Sequence, residues 1–195
     1  VATVGLTEAV ITLLYAIAIG LSMGATAMVA RRIGEKDPEA ASIAAGQVIW
    51  LGVFVSVMVG LLGLVFAREI LVLMGAEEAV IETGVGYTRL MFGASFSIVF
   101  LFLINAIFRG AGDATIAMKA LWLANGINIV LDPCLIYGVG PFPELGVTGA
   151  AVATNIGRTI GALYGLYHLV GGKGRLQLHV KDMGLRMSIV WSLVR

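Results

Sequence analysis

Charged residues are scarce in this sequence. Asp, Glu, Lys and Arg make up only 13% of its 195 residues, whereas soluble domains carry about 25%. The 13 basic and 12 acidic residues nearly cancel, so no overall field would attract a nucleic acid. With a mean hydropathy of +0.97, this composition excludes an ordinary soluble domain and indicates a protein embedded in a lipid bilayer.

Cysteine and histidine are also rare. The single Cys134 excludes an internal disulfide and a cysteine-rich metal site, and its apolar neighbours predict a small buried side chain. The two histidines, His168 and His179, lack metal-ligand spacing. The Gly-Ala-Gly at residues 110–112 lacks the third glycine of a dinucleotide fingerprint and the Gly-Lys-Ser/Thr of a phosphate loop. We therefore predict that the chain is not an enzyme and holds no cofactor.

Long apolar runs dominate what is present. Runs of about 20 residues can cross a bilayer as helices, and charged residues divide the chain into five such spans. The chain opens with Val and has no basic n-region or cleavage site, so we expect a fragment without a signal peptide. An apolar run after Gly184 predicts the start of a sixth span. The five predicted spans are residues 9–30, 40–67, 90–108, 115–137 and 146–170.

The connecting segments differ in charge. The segments after the first, third and fifth spans are rich in Lys and Arg, which is typical of cytoplasmic loops. This pattern predicts a chain that starts outside and ends in the cytoplasm. On the opposite side, residues 68–82 mix charges with apolar side chains, which favours a short interfacial helix; a solvated loop is the alternative. That side carries only two basic residues outside the spans, Arg68 and Arg89. The basic side, predicted to be cytoplasmic, carries nine: Arg31, Arg32, Lys36, Arg109, Lys119, Lys173, Arg175, Lys181 and Arg186.

A carboxylate lies inside the fourth span. Asp132 at the centre of a spanning helix costs roughly 2.5–3.5 kcal/mol on insertion scales, which indicates a functional residue. Asn128 precedes it by four residues and so shares its helical face. Pro133 has no N–H to donate to the carbonyl of Ile129. This face therefore gathers oxygen ligands suited to a proton or a small cation.

The fifth span is expected to complete that face. A short turn over residues 138–145 makes the two spans antiparallel neighbours, and the helical rise places both Asp132 and Thr154 roughly 10–12 Å below the outer boundary. Ala150 precedes Thr154 by one turn and can add its carbonyl. These groups can therefore meet Asn128 and Asp132 at one depth.

Arg158 lies one turn beyond Thr154 and needs a partner, because buried charges are usually paired. One hypothesis is a structural ion pair with Asp132. The other directs Arg158 into a water-filled cavity or towards a carbonyl, which leaves Asp132 free to titrate. Glu8 is a second candidate partner, unless it extends to the membrane interface.

Glycines spaced four residues apart predict close contacts between helices. Gly157, Gly161 and Gly165 form two such units in the fifth span, and Gly20 with Gly24 forms one in the first. This spacing indicates where helices touch and says nothing about a substrate.

Four motifs together resemble the MATE family (multidrug and toxic compound extrusion). They are Ala-Arg-Arg-Ile-Gly-Glu-Lys-Asp-Pro-Glu at 30–39, Arg-Gly-Ala-Gly-Asp at 109–113, Asn-Ile-Val-Leu-Asp-Pro at 128–133 and Gly-Ala-Ala-Val-Ala-Thr at 149–154. The resemblance implies an all-α polytopic membrane protein with twelve helices in two lobes. Residues 1–171 would form the second to sixth helices of the N-terminal lobe. Residues 172–195 would form the cytoplasmic loop between the lobes and the start of the next helix.

The resemblance also implies a function. Family members in the cell (inner) membrane are secondary antiporters that export organic cations and other amphipathic compounds in exchange for protons or sodium ions. It assigns Asp132 as the coupling carboxylate, with Asn128, Thr154 and the Ala150 carbonyl as further ligands. The family's first helix, which this chain lacks, supplies another acidic residue, so the remaining helices are expected partners. Arg158 is not part of the family's site and would weaken cation binding there.

Two other functions remain open. A flippase for lipid-linked oligosaccharides from the same superfamily would present several basic residues to its cavity, and Arg158 is only one. A membrane scaffold that transports nothing would not need Asn128 and Asp132 inside a span.

Overall fold

The computed structural model describes residues 2–172, 174–178 and 184, and these residues form helices joined by short turns without any strand. The predicted all-α membrane fold is confirmed. In chain order the helices are α1 (Ala2–Gly34), α2 (Pro38–Val65), α3 (Ala67–Leu73), α4 (Glu78–Gly93), α5 (Ser95–Gly110), α6 (Ala114–Tyr137) and α7 (Val147–Val170).

Four of the five predicted spans are long and apolar enough to cross a membrane. Within the described residues they are Ile11–Gly34, Pro38–Val65, Gly84–Gly110 and Ala114–Tyr137. α7 is as long as α6, at 24 residues, but Asn155, Arg158 and His168 make it less apolar than those four. Its role as a fifth span therefore stays a prediction.

The third span differs from the prediction, because two helices divide it. α4 ends at Gly93 and α5 begins at Ser95, with Ala94 at φ −94°, ψ 12° between them. The backbone N–H and the hydroxyl of Ser97 both donate to the Ala94 carbonyl, at 2.9 and 2.8 Å. Glycine and serine are poor helix formers in this position, and the serine hydrogen bonds stabilise the turn.

The segment 68–82 forms a short helix and the start of a longer one. α3 occupies Ala67–Leu73, as predicted for an interfacial helix, whereas the glutamates from Glu78 onward belong to α4. Arg68 pairs with Glu78 at 2.5 Å across the turn. Leu71 is buried and Leu73 is 86% exposed, so one face of α3 packs on the bundle. Its position at a membrane interface stays a prediction.

α5 forms the centre of the bundle. It packs against α1, α2, α6 and α7, and all its residues except Phe96, Phe102 and Arg109 are buried. Its apolar side chains supply most of the core, and burial of each large one contributes roughly 1.5–3 kcal/mol. α5 is therefore the helix around which the others are positioned.

α6 and α7 form an antiparallel hairpin, as predicted. Gly138 directly follows the last residue of α6, and its φ of 66° is the left-handed conformation that favours glycine. The Leu145 N–H then donates to the Leu135 carbonyl at 2.9 Å, which closes the turn. Cys134, near the end of α6, is only partly buried, which corrects the prediction of a small buried side chain.

Glycines of α7 bring the two helices into backbone contact. A Cβ added at Gly157 would lie 2.5 Å from the Ala124 carbonyl oxygen, and one at Gly161 would lie 2.8 Å from that of Ala120. Gly165 faces α5 instead, where the side chain of Ile104 leaves no room for a Cβ. The packing prediction for these three glycines is confirmed.

The same prediction for Gly20 and Gly24 of α1 stays a prediction. A Cβ at Gly20 would meet no described atom within 4 Å.

Charge and capping residues set the turn between α1 and α2. Asp37 caps α2, since its Oδ1 accepts from the Ala40 N–H at 2.9 Å, and Pro38 occupies the first turn.

Hydrogen bonds from Arg31 and then Arg32 to Glu35, at 2.9 and 2.8 Å, hold the pKa of Glu35 below its ordinary value. Any stabilisation from this exposed group is lost as pH falls through that lowered pKa.

The chain returns to the bundle after α7. Leu176 and Leu178 are 1% and 4% exposed and join the core, and the Leu178 N–H donates to the Leu169 carbonyl at 2.9 Å. The Arg175 N–H donates to an Asp113 carboxylate oxygen. Residues 174–178 thus pack on helices of the bundle, while the predicted division at residue 171 remains untested.

Gly184 lies further along the chain, and its carbonyl is hydrogen-bonded by Gln47 of α2. The Gln47 side chain is completely buried, and its Nε2 donates to that carbonyl at 2.8 Å. The predicted sixth span after Gly184 lies outside the described residues.

Candidate functional site

The fourth and fifth predicted spans meet at a polar network. The Asn128 Nδ2 donates to Asp132 Oδ1 at 3.0 Å along α6 and to Thr154 Oγ1 at 3.2 Å across to α7. All three side chains are partly buried. The structure therefore brings together the carboxylate, amide and hydroxyl that helical spacing and depth placed on one face.

The directions of these hydrogen bonds leave the site rich in acceptors. An amide has two N–H groups, and Asn128 directs its nitrogen at Asp132 and Thr154. The remaining lone pairs of the carboxylate, amide and hydroxyl oxygens are then available to a ligand. Oxygen atoms of this kind suit a proton or a hard cation.

Two backbone groups flank the network. Ala150 is partly buried one turn before Thr154, and its carbonyl as a ligand stays a prediction. α6 continues through Pro133 to Tyr137, although Pro133 cannot donate to the Ile129 carbonyl. That acceptor can therefore serve another donor or ion.

Arg158 does not pair with Asp132, which corrects the ion-pair hypothesis. Its Nη2 donates to the Tyr15 hydroxyl of α1, and its Cζ lies 5.6 Å from the centre of the Tyr15 ring. Asn128 is the side chain that hydrogen-bonds Asp132, whereas the guanidinium of Arg158 extends towards α1. Sequence reasoning missed Tyr15, because helix spacing does not reveal which neighbour a long side chain reaches.

The pairing of Arg158 with Glu8 is not tested. Glu8 lies in α1 seven residues before Tyr15, but its side chain is outside the described part of the structure.

Sequence reasoning also missed polar groups of α5. Ser97 donates to Asn155 Oδ1 of α7 at 3.0 Å. Asn105 is 4% exposed, and its Nδ2 donates to the Leu101 carbonyl at 2.7 Å, while its Oδ1 has no partner among the described atoms. An asparagine inside an uncharged span is costly in a membrane, and this signal was available in the sequence.

Among the described residues, no three His, Cys, Asp or Glu side chains lie together as a metal cluster. The site instead combines a single carboxylate with neutral oxygens. This chemistry fits a proton or a monovalent cation, for which Asp132, Asn128 and Thr154 are the available side chains.

Comparison with known proteins identifies related sequences. A family model described as MatE matches residues 1–134, which is 134 of 195 residues. The chain is 33% identical over 159 residues to a probable multidrug resistance protein, NorM, from Thermotoga maritima, covering 82% of this chain and 34% of that protein. It is 29% identical over 191 residues to a FAD transporter from Shewanella oneidensis, covering 98% of this chain and 42% of that one.

A solved structure has the same fold. It is a MOP superfamily transporter from Pyrococcus furiosus, with a TM-score of 0.89, 34% sequence identity, and coverage of 99% of this chain and 42% of that one. The chain thus spans between about a third and two fifths of the length of the relatives named here.

Proposed function

The chain belongs to the MatE family, and from this membership we propose that the whole protein is a secondary active antiporter. It exports organic cations and related amphipathic compounds in exchange for protons or sodium ions. The observation that carries the proposal is the network in which Asn128 joins Asp132 of α6 to Thr154 of α7. One relative is named a probable multidrug resistance protein and another a FAD transporter, and these names support transport of small molecules.

Coupling follows from competition for one carboxylate. With Asp132 charged, the lobe favours a cavity shape that holds a cationic compound, and binding of a proton or sodium ion removes that preference. An ion can shift the equilibrium only by its different affinity for the two shapes. Because Asn128 contacts residues on both helices, a change at Asp132 is transmitted to α7 by a single side chain.

Each residue of the site has a specific role in this mechanism. Asp132 takes the coupling ion, Asn128 and Thr154 supply neutral oxygens, and the Ala150 carbonyl completes the set. Arg158 is held by Tyr15 and does not neutralise Asp132. The flippase alternative has no supporting observation beyond this one basic side chain.

We also propose an orientation in the cell membrane. Arg31, Arg32 and Arg109 lie near the α1–α2 and α5–α6 turns, and Arg175 follows α7. An excess of basic residues marks the cytoplasmic side, so these ends face the cytoplasm and the chain start faces outside.

The test is coupled efflux by the full-length protein in proteoliposomes. Asp132→Asn should reduce ethidium efflux driven by an imposed proton or sodium gradient at least tenfold, because an amide carries no charge to exchange. Comparing the two gradients identifies the coupling ion. Glu144→Gln, which neutralises an exposed carboxylate in the α6–α7 turn, is the matched control and should transport normally. Normal gradient-driven efflux by Asp132→Asn would contradict the proposal.

A further inference from the structure

The described residues give Arg158 no negative partner. None of the three ion pairs that they form includes it. One edge of the guanidinium is occupied, since Nη2 donates to the Tyr15 hydroxyl. The other edge is not, because Nη1 is shielded from solvent and has no acceptor in the described part of the chain. A donor atom that is shielded from solvent and has no acceptor is unfavourable until an acceptor reaches it.

The position of Arg158 is fixed rather than free to move into solvent. The Tyr15 ring lies beneath the guanidinium at 5.6 Å and also packs on Phe102 of α5, with 6.0 Å between ring centres. Cation–π contact and the hydroxyl hydrogen bond hold the side chain against α1. A pre-positioned guanidinium loses little conformational entropy when it binds a ligand.

The location is also close to the cation site. Arg158 follows Thr154 by one turn of α7, and Thr154 accepts from Asn128. The unused N–H donor of Arg158 therefore lies one turn of α7 from Thr154, which Asn128 links to the oxygen acceptors of Asp132. The acceptors of Asp132 can bind a positively charged group, and the donor of Arg158 can bind a negatively charged one.

We propose that Arg158 binds an oxyanion of the transported compound, with Tyr15 as the residue that positions the guanidinium. The inference rests on the proposed function and deepens it, because it assigns a binding site for those transported compounds that carry a carboxylate or phosphate beside their cationic group. Guanidinium groups bind such oxyanions through paired, charge-assisted hydrogen bonds. A purely cationic compound such as ethidium would make no hydrogen bond with Arg158, so its transport does not depend on this side chain.

The test compares two probes that differ by one carboxylate, using purified full-length protein. Binding of a fluoroquinolone and of its decarboxylated analogue is measured by fluorescence titration without any ion gradient. Arg158→Gln should weaken fluoroquinolone binding by roughly 10- to 100-fold, the loss expected for hydrogen bonds to a charged group. Binding of the analogue should change by no more than about twofold, and Arg158→Lys should recover part of the loss.

Two further variants test whether Tyr15 positions the guanidinium of Arg158 and whether Glu8 forms an ion pair with it. Tyr15→Phe removes the hydroxyl while keeping the ring, and should weaken fluoroquinolone binding less than Arg158→Gln does. Glu8→Gln should leave the difference between the two probes unchanged. If Glu8 instead neutralises Arg158, this variant will strengthen fluoroquinolone binding, and the proposal is then wrong.

Other outcomes also decide the question. Equal losses of both probes in Arg158→Gln would indicate a packing role, and failure of the wild type to distinguish the probes would exclude an oxyanion site. The antiport proposal is judged separately by gradient-driven efflux in the Asp132→Asn experiment. A wild type that discriminates the probes but shows no coupled efflux would overturn antiport alone.

Discussion

At the scale of residues, Asn128 is the side chain that connects the candidate site. It contacts Asp132 on its own helix and Thr154 on the next one. Polar side chains are costly inside an apolar helix unless they are hydrogen-bonded. The network gives Asp132 and Thr154 a shared partner within helices that are otherwise largely apolar.

Thr154 provides a direct test of this network. Thr154→Val removes one oxygen from the site and one acceptor from Asn128, so the apparent affinity for the coupling ion should fall roughly tenfold. Thr154→Ser keeps the hydroxyl and should behave like the wild type. The measurement is the dependence of ethidium efflux on ion concentration in proteoliposomes. Equal affinities for all three proteins would remove Thr154 from the ligand set.

The sequence predicted this network because helical geometry determines it. Spacing of four residues placed Asn128 beside Asp132, and antiparallel spans brought Thr154 to the same depth. The partner of Arg158 was not predictable in this way, because a long side chain can turn towards either α6 or α1. The folded structure shows that the guanidinium turns towards Tyr15 of α1.

At the scale of elements, the hairpin of α6 and α7 depends on glycine. The Ala124 carbonyl occupies the space that a side chain at position 157 would need. The two helices therefore cannot separate by the width of a methyl group without moving the polar groups of the site. Helix packing and site geometry are thus determined by the same contact.

Gly157→Ala should destabilise the full-length protein by about 1–3 kcal/mol, the usual effect of overpacking. The measurement is thermal unfolding of the purified protein in detergent. Gly86→Ala is the control, because a Cβ there meets nothing within 4 Å and alanine favours a helix by about 1 kcal/mol. A Gly157→Ala protein that melts at or above the wild-type temperature would show that the helices do not approach so closely.

The sequence was less informative about where helices break. It predicted α6 and α7 closely, because charged or turn residues mark both ends of each helix. The boundary at Ala94 lies inside an uncharged run, and hydrophobicity alone cannot locate a turn there. The break results from Gly93 and from the hydrogen bonds of Ser97 to the Ala94 carbonyl.

At the scale of the whole molecule, the segment after α7 is bound to distant parts of the chain. Residue 175 contacts Asp113 between α5 and α6, and residue 184 contacts Gln47 of α2. Leu176 and Leu178 are buried between these contacts. The segment therefore links helices that are far apart in the sequence.

Asp113→Ala should loosen this segment, because the Arg175 N–H loses its acceptor. The loss of one hydrogen bond to a charged group changes local opening by roughly tenfold or more, so trypsin should cleave after Arg175 about ten times faster. Asp113→Asn retains an acceptor oxygen and should be cleaved at nearly the wild-type rate. Unchanged cleavage of Asp113→Ala would mean that Leu176 and Leu178 alone hold the segment.

The burial of Leu176 and Leu178 also has a practical consequence for protein engineering. A truncation, a fusion partner or a fluorescent tag placed at the end of α7 would remove both leucines from the core and expose the apolar surface of Leu169, which is 0% exposed in the intact fold. The hydrophobic unit extends past α7, at least to residue 178. An expression boundary for this half of the molecule therefore belongs beyond that residue.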